Sequence, residues 1–257
     1  MGSFLTFKKD TINITSIFVQ SIIDEVNKMS RPCPIYSKAI YLDCLECEDK
    51  VCKKESKKYD KIVIGIDQSY KNCGVSIAAD GKLLKVKSIN LEKYKSKTDK
   101  RRVLRERLNS LFLSVSGKSN DIEVIIERIR LRSQGFLNID YIKSIGALNA
   151  LITDESRAFS IPVYSVDTRA WKSQVIGSSK PASNSFGVPE EKWLTVKWLI
   201  EQGFEKDILI KIKSKRKNKG TFARDNKKYM YNNDAADSAG IAMFGFVGKR
   251  ENLKEEK

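Results

Sequence analysis

Histidine does not occur anywhere in the 257-residue chain. Its absence excludes histidine-based nucleophilic triads, HExxH metalloproteases, HNH-type nucleases and zinc fingers with paired imidazoles. Acid–base or metal chemistry falls instead to carboxylates, Lys, Tyr and Cys. Glycine (14) and proline (5) are sparse, which excludes a fibrous or low-complexity chain. No apolar run approaches the roughly 20 residues that a bilayer span requires, so no membrane partner is expected. Residues 1–11 lack a long apolar stretch ahead of a small-residue cleavage site. The expected location is the cytoplasm of a bacterium or of a phage-infected host. In that reducing compartment the five cysteines do not imply disulfides.

What the chain has in excess is positive charge. Lys and Arg number 48 against 32 Asp and Glu, a formal +16. Such an excess favours a polyanionic partner, because neutralised phosphates release condensed counterions. A solvated Lys-rich surface is the plainer alternative, but the basic residues cluster. Lys206 to Lys228 holds ten Lys or Arg against two Asp, and Lys100 to Arg107 contains four Arg.

Apolar residues make up 41%, enough for a substantial core. Ile12, Ile14, Ile17, Phe18, Ile22, Ile23, Val26 and Met29 recur at mostly helical spacing, predicting an amphipathic helix over about 11–29. Cys33, Cys44, Cys47 and Cys52 follow at spacing C-x10-C-x2-C-x4-C. Without imidazole, zinc here needs all four thiolates, and C-x2-C is a normal chelating half. The plainer alternative is small buried side chains. Residues 1–60 are thus expected to form a helical, Cys-rich extension with a candidate structural zinc site, and 61–250 the main domain.

From Lys61 the pattern predicts three antiparallel strands, with a tight turn at Asp80-Gly81 between the second and third. A charged helix (98–115), a buried strand (122–127), a helix (138–157) and a strand (161–166) follow. Shorter helices near 168–176 and 189–202 lead to a small-residue helix over 233–247. The order is mixed α/β, a hairpin-built sheet extended by parallel strands.

Four acids sit at the ends of these elements. Asp67 ends the apolar run Ile62 to Ile66, and Glu127 ends Val124-Ile125-Ile126. Asp234 and Asp237 lie three apart, about one helical turn, and share a face. One Asp after an apolar strand is ordinarily a turn or cap residue. The joint pattern is more specific, because an acid at the end of a buried strand is costly unless it is paired or coordinates a metal. Mg²⁺ takes such hard oxygen ligands.

Ile64-Gly-Ile-Asp67-Gln-Ser-Tyr-Lys-Asn-Cys-Gly74-Val-Ser resembles the first-strand motif of RuvC-type Holliday junction resolvases, in the ribonuclease H-like superfamily. Ile125-Ile-Glu127 is similar to that family's second motif, and Asp234-Ala-Ala-Asp237-Ser-Ala-Gly-Ile-Ala to its last. Trp171-Lys172-Ser-Gln-Val-Ile-Gly177 and Glu191-Lys192 resemble its basic segment, with two active-site lysines. The resemblance covers about 61–247. It implies a ribonuclease H-like mixed sheet, a homodimer, branched DNA as partner, and Mg²⁺-dependent paired nicking of four-way junctions. Asp67, Glu127, Asp234 and Asp237 are then the expected holders of two Mg²⁺ ions per site, with Mn²⁺ a substitute, and Lys172 and Lys192 the catalytic lysines.

Residues 178–190 read as an insertion, leaving Lys180 as an alternative to Lys192. Arg130 stands where bacterial members place an aromatic wedge, and Phe136 or Tyr141 are the candidate replacements. The stretch Lys206 to Lys228 is longer and more basic than the family leads one to expect and reads as an additional DNA-contacting loop. The basic positions expected to contact DNA are Arg130, Arg132, Lys180, Lys213, Lys215, Arg216, Lys217 and Lys219. Other classes compete: a ribonuclease H-like nuclease for flaps, branched DNA or RNA–DNA hybrids; an actin-like phosphotransferase; a non-catalytic nucleic-acid-binding module. The second wants a further Asp-x-Gly hairpin and a Gly-Gly adenosine motif, and neither occurs in the chain; the intact set of four acids speaks against the third.

Overall fold

The computed structural model describes residues 58–129, 139–212, 221–224 and 227–256. The expected 11–29 helix, the four cysteines of the extension, Arg130, Arg132, Phe136 and the basic run Lys213 to Lys219 lie outside them.

A mixed sheet organises the described chain. Strands β1 (Lys61–Asp67), β2 (Asn72–Ala79) and β3 (Lys82–Asn90) form an antiparallel meander. The turn between β2 and β3 places Asp80 at φ 48° and Gly81 at φ 75°, the double left-handed geometry that closes a two-residue hairpin. Helix α1 (Lys97–Val115) crosses over to β4 (Asp121–Glu127), which runs parallel to β1. Helix α2 (Ile139–Ala158) crosses to β5 (Val163–Val166), parallel to β4. A short antiparallel strand β9 (Leu253–Glu255) closes that edge, giving the order β3-β2-β1-β4-β5-β9. This is the ribonuclease H-like arrangement expected above, with β9 added.

After β5 the chain forms α3 (Thr168–Trp171), running on into a π-helical turn (Lys172–Ile176), then α4 (Glu190–Glu201) and α5 (Glu205–Ile208). The basic stretch read as a loop contains strands instead. β6 (Leu209–Ile212), β7 (Phe222–Arg224) and β8 (Lys227–Tyr231) make a second antiparallel sheet, in the order β6-β8-β7. Strand β8 leads directly to α6 (Asn233–Val247). Among the described residues no helix is long and apolar enough to cross a membrane.

Side chains alternate faces along a strand, and here the alternation decides function. Ile62, Ile64, Ile66, Val124 and Ile126 point to one side, where they bury against Leu104, Leu108 and Phe112 of α1 and Leu148 and Ile152 of α2. Val63 and Ile125 point to the other, where they meet Trp171 and the Ile241 and Phe244 side chains of α6. Parity therefore turns Asp67 and Glu127 toward the face that α6 covers. The helix lies against the strands because glycines admit it. A Cβ on Gly65 would run into the Ser238 carbonyl oxygen and the Ala242 amide, and one on Gly74 into the Asp234 carbonyl.

Candidate active site

Asp67 and Glu127 end neighbouring parallel strands, in a register that pairs Ile66 with Ile126. Asn232 caps α6, its side chain accepting from the Ala235 amide at 3.2 Å, so Asp234 and Asp237 occupy the helix's first turns. Negative groups are favoured at that end by the helix dipole. Close packing of α6 on β1 and β2 then sets these two acids beside the strand ends. Asp237 is 1% exposed.

Lys192, near the start of α4, inserts its ammonium among the acids and bonds Asp237 Oδ2. The other oxygen, Asp237 Oδ1, is buried and has no hydrogen-bond partner among the described residues. Burial pushes the Asp67 carboxyl well above its ordinary 3.8, Asp237 adds to the rise, Lys192 opposes it, and Glu127 and Asp234 add further. Burial likewise raises Asp234, with Lys192 lowering it and Asp237 raising it. For the Lys192 ammonium, burial acts downward, but the charges of Asp237, Asp67 and Glu127 outweigh it and hold the group protonated. Asp237 and Lys192 act on all three of Asp67, Glu127 and Asp234, which places these groups in one electrostatic neighbourhood.

Two residues that sequence reasoning missed orient Glu127. Thr168, the first residue of α3, donates its hydroxyl to Glu127 Oε1. It lowers the Glu127 carboxyl against the larger upward push of burial. Gln68 donates its Nε2 to the Glu127 carbonyl oxygen at 2.6 Å, tying the ends of β1 and β4 together. No spacing rule flags a contact between residues 41 apart; the only signal was the Asp-Thr pair that opens a helix just after a buried strand.

Three solved structures are similar to this chain. Thermus thermophilus RuvC matches at TM-score 0.46 and 16% identity, over 76% of this chain and 99% of that one. T. thermophilus RuvC in complex with a Holliday junction substrate matches at 0.48 and 15%, over the same shares. The yeast mitochondrial Holliday junction resolvase Ydc2 matches at 0.40 and 17%, over 73% of this chain and 78% of that one. No family model and no curated protein sequence matches this chain. The fold and the roles of residues rest on this chain's own geometry.

The other expected site residues divide. Lys172 is 7% exposed and donates its Nζ to the Glu191 carbonyl oxygen at 2.7 Å. It sits near enough to Glu127 to lower that carboxyl, but its bond goes to the backbone of α4. Lys180 is exposed in the segment between Gly177 and Pro189 and is not among the charges acting on the acids. Tyr141 is exposed near the start of α2. Cys73 is buried, its thiol pushed up to about 12 chiefly by that burial, and serves packing.

Among the described residues no three acids or thiols already stand close enough together to hold a metal ion. The donor set nonetheless fits a hard divalent cation: four carboxylates, no soft ligand, and one buried carboxylate oxygen lacking any donor.

Proposed function

We propose that the chain is a Mg²⁺-dependent endodeoxyribonuclease that resolves four-way DNA junctions by paired nicking, acting as a homodimer. The observation that carries this reading is the convergence of Asp67, Glu127, Asp234 and Asp237 around one protonated lysine on the α6 face of the sheet. Such a cluster is too costly to be structural. Glu123 makes the contrast: on the same strand and face as Glu127, it is 2% exposed but neutralised by Lys61 at 3.0 Å and Arg250 at 2.5 Å. The Glu127 carboxylate instead accepts from the neutral Thr168 hydroxyl.

The four acids would hold two Mg²⁺ ions, with Mn²⁺ able to substitute. Bound there, two such ions supply an acidified attacking water and charge neutralisation at a phosphodiester. The chain's own residues do the rest. Thr168 and Gln68 hold Glu127 and its strand end in place. Lys192 offsets part of the cluster's negative charge and would provide a cation for the scissile phosphate. Lys172 anchors α4 through the Glu191 carbonyl and so sets where Lys192 emerges. The motif resemblance supports a junction as substrate, and the +16 charge supports DNA as the polyanion.

A synthetic four-way junction incubated with the full chain in Mg²⁺ should be nicked, and linear duplex left nearly uncut. Asp67→Asn should lose cutting and retain binding. Faster cutting of flaps or RNA–DNA hybrids would overturn the junction assignment and leave the nuclease.

A further inference from the structure

The two segments that depart from the RuvC pattern, 178–190 and 206–228, meet around one cavity of about 460 Å³. Its walls are aromatic. Phe186, from the first segment, stacks on Trp193 of α4 with centroids 5.2 Å apart. Phe222 of β7 stacks on Tyr231 of β8 at 5.0 Å. Phe186 stands edge-on to that second pair, 5.1 Å from Phe222 and 5.9 Å from Tyr231. Two stacked pairs at a steep angle form a corner, with the cavity opening from it.

The charges at this cavity cancel. Glu205 Oε1 accepts from Arg224 at 2.9 Å and from the Tyr231 hydroxyl at 3.0 Å, and Lys197 lies 3.8 Å from Glu201. A phosphate gains little from such a balanced rim. A flat neutral group with π faces and a hydrogen-bonding edge gains both stacking and directional contacts. Aromatic faces receive unstacked bases in this way, whatever their sequence.

Position names the source of that group. Trp193 follows Lys192 on α4, and successive helical residues point about 100° apart. One therefore faces Asp237 and the next faces the cavity. Tyr231 precedes Asp234 by three residues, a reach of at most about 11 Å of chain. A strand with its phosphate at the acids would therefore lie close to the cavity.

We infer that this cavity receives one unstacked nucleobase of the DNA strand whose backbone lies across the four carboxylates. The inference rests on the nuclease reading above. Its test uses the full chain carrying Asp67→Asn, so that DNA is bound and not cut, and a four-way junction with single abasic sites moved stepwise from the branch point. One abasic position should weaken binding about 5- to 150-fold, the range expected for one base–aromatic stack. Adding Phe222→Leu should weaken intact junction by a similar factor and abolish the penalty of that abasic position. Phe222 packs in an aromatic cluster, so the half-exposed Arg224→Gln, which removes an edge contact, provides a second variant that keeps the rings. It should weaken the intact junction and leave the abasic one unchanged. Additive losses at every position, or tight binding with no positional dependence, would overturn the cavity's role and leave the nuclease standing. Absence of any junction binding would overturn both.

Discussion

Lys192 balances the site in the absence of a divalent cation, and its acidic neighbours show what that balance costs. Burial, Asp237, Glu127 and Asp234 all push the Asp67 carboxyl upward, and Lys192 offsets only part of it. A raised folded-state value means that the folded chain binds more protons than the unfolded chain above pH 3.8. Stability therefore falls as pH rises through that window. Asparagine cannot ionise. In metal-free buffer at pH 7, Asp67→Asn should melt at a higher temperature than the native chain, and the gap should close as pH falls toward 4. A lower melting temperature at pH 7 would make Asp67 a residue of folding. Thr168 acts through Glu127 and is argued separately. Thr168→Val keeps the volume and removes that side-chain donor from the carboxylate. Loss of such an orienting partner typically weakens metal binding about 10- to 100-fold. Mn²⁺ titration followed by electron paramagnetic resonance should read that loss with an unchanged melting temperature, and Thr168→Ser should restore the affinity.

At the scale of elements, the site exists because α6 lies on β1 and β2 at backbone contact. Gly65 and Gly74 permit this, and their obstructing neighbours are main-chain atoms that cannot swing aside. Gly65→Ala should therefore cost more than the roughly 1–3 kcal/mol of ordinary overpacking, read by urea unfolding. A cost below 1 kcal/mol would mean that the helix is free to shift. The elements were legible where apolar runs are long. The alternation in β1 and β4 and the small-residue face of α6 together bring four acids to one place. The second sheet was not legible, because the density of Lys and Arg in the sequence of 206–228 obscures the short strands, and β8 is recognisable only by its Tyr229–Tyr231 alternation. Nor was the cavity. Its rings come from three segments, each of which reads as polar or irregular alone. Lys172 shows the limit at the residue level, since its motif position could not reveal that its ammonium is tied to the Glu191 carbonyl.

For the whole molecule, the decisive property is stoichiometry. The chain contains one set of four acids, and one set serves one strand at a time. Paired nicking of a junction thus requires two chains, each placed on its own strand, which is why the proposed unit is a homodimer. In the proposed unit, the excess of 16 positive charges would hold the assembly on branched DNA long enough for a second cut, and less well as salt rises. A supercoiled plasmid that extrudes a cruciform separates the two events. Paired cuts within one binding episode yield linear DNA, whereas a lone cut relaxes the cruciform and leaves a nicked circle. The native chain should give mainly linear product at low salt. Subunits mixed with a tenfold excess of Asp67→Asn, under conditions of exchange, should give nicked circles instead, because most active chains then have an inactive partner. Nicked circles from the native chain alone, at every salt concentration, would mean that each site works independently of a second.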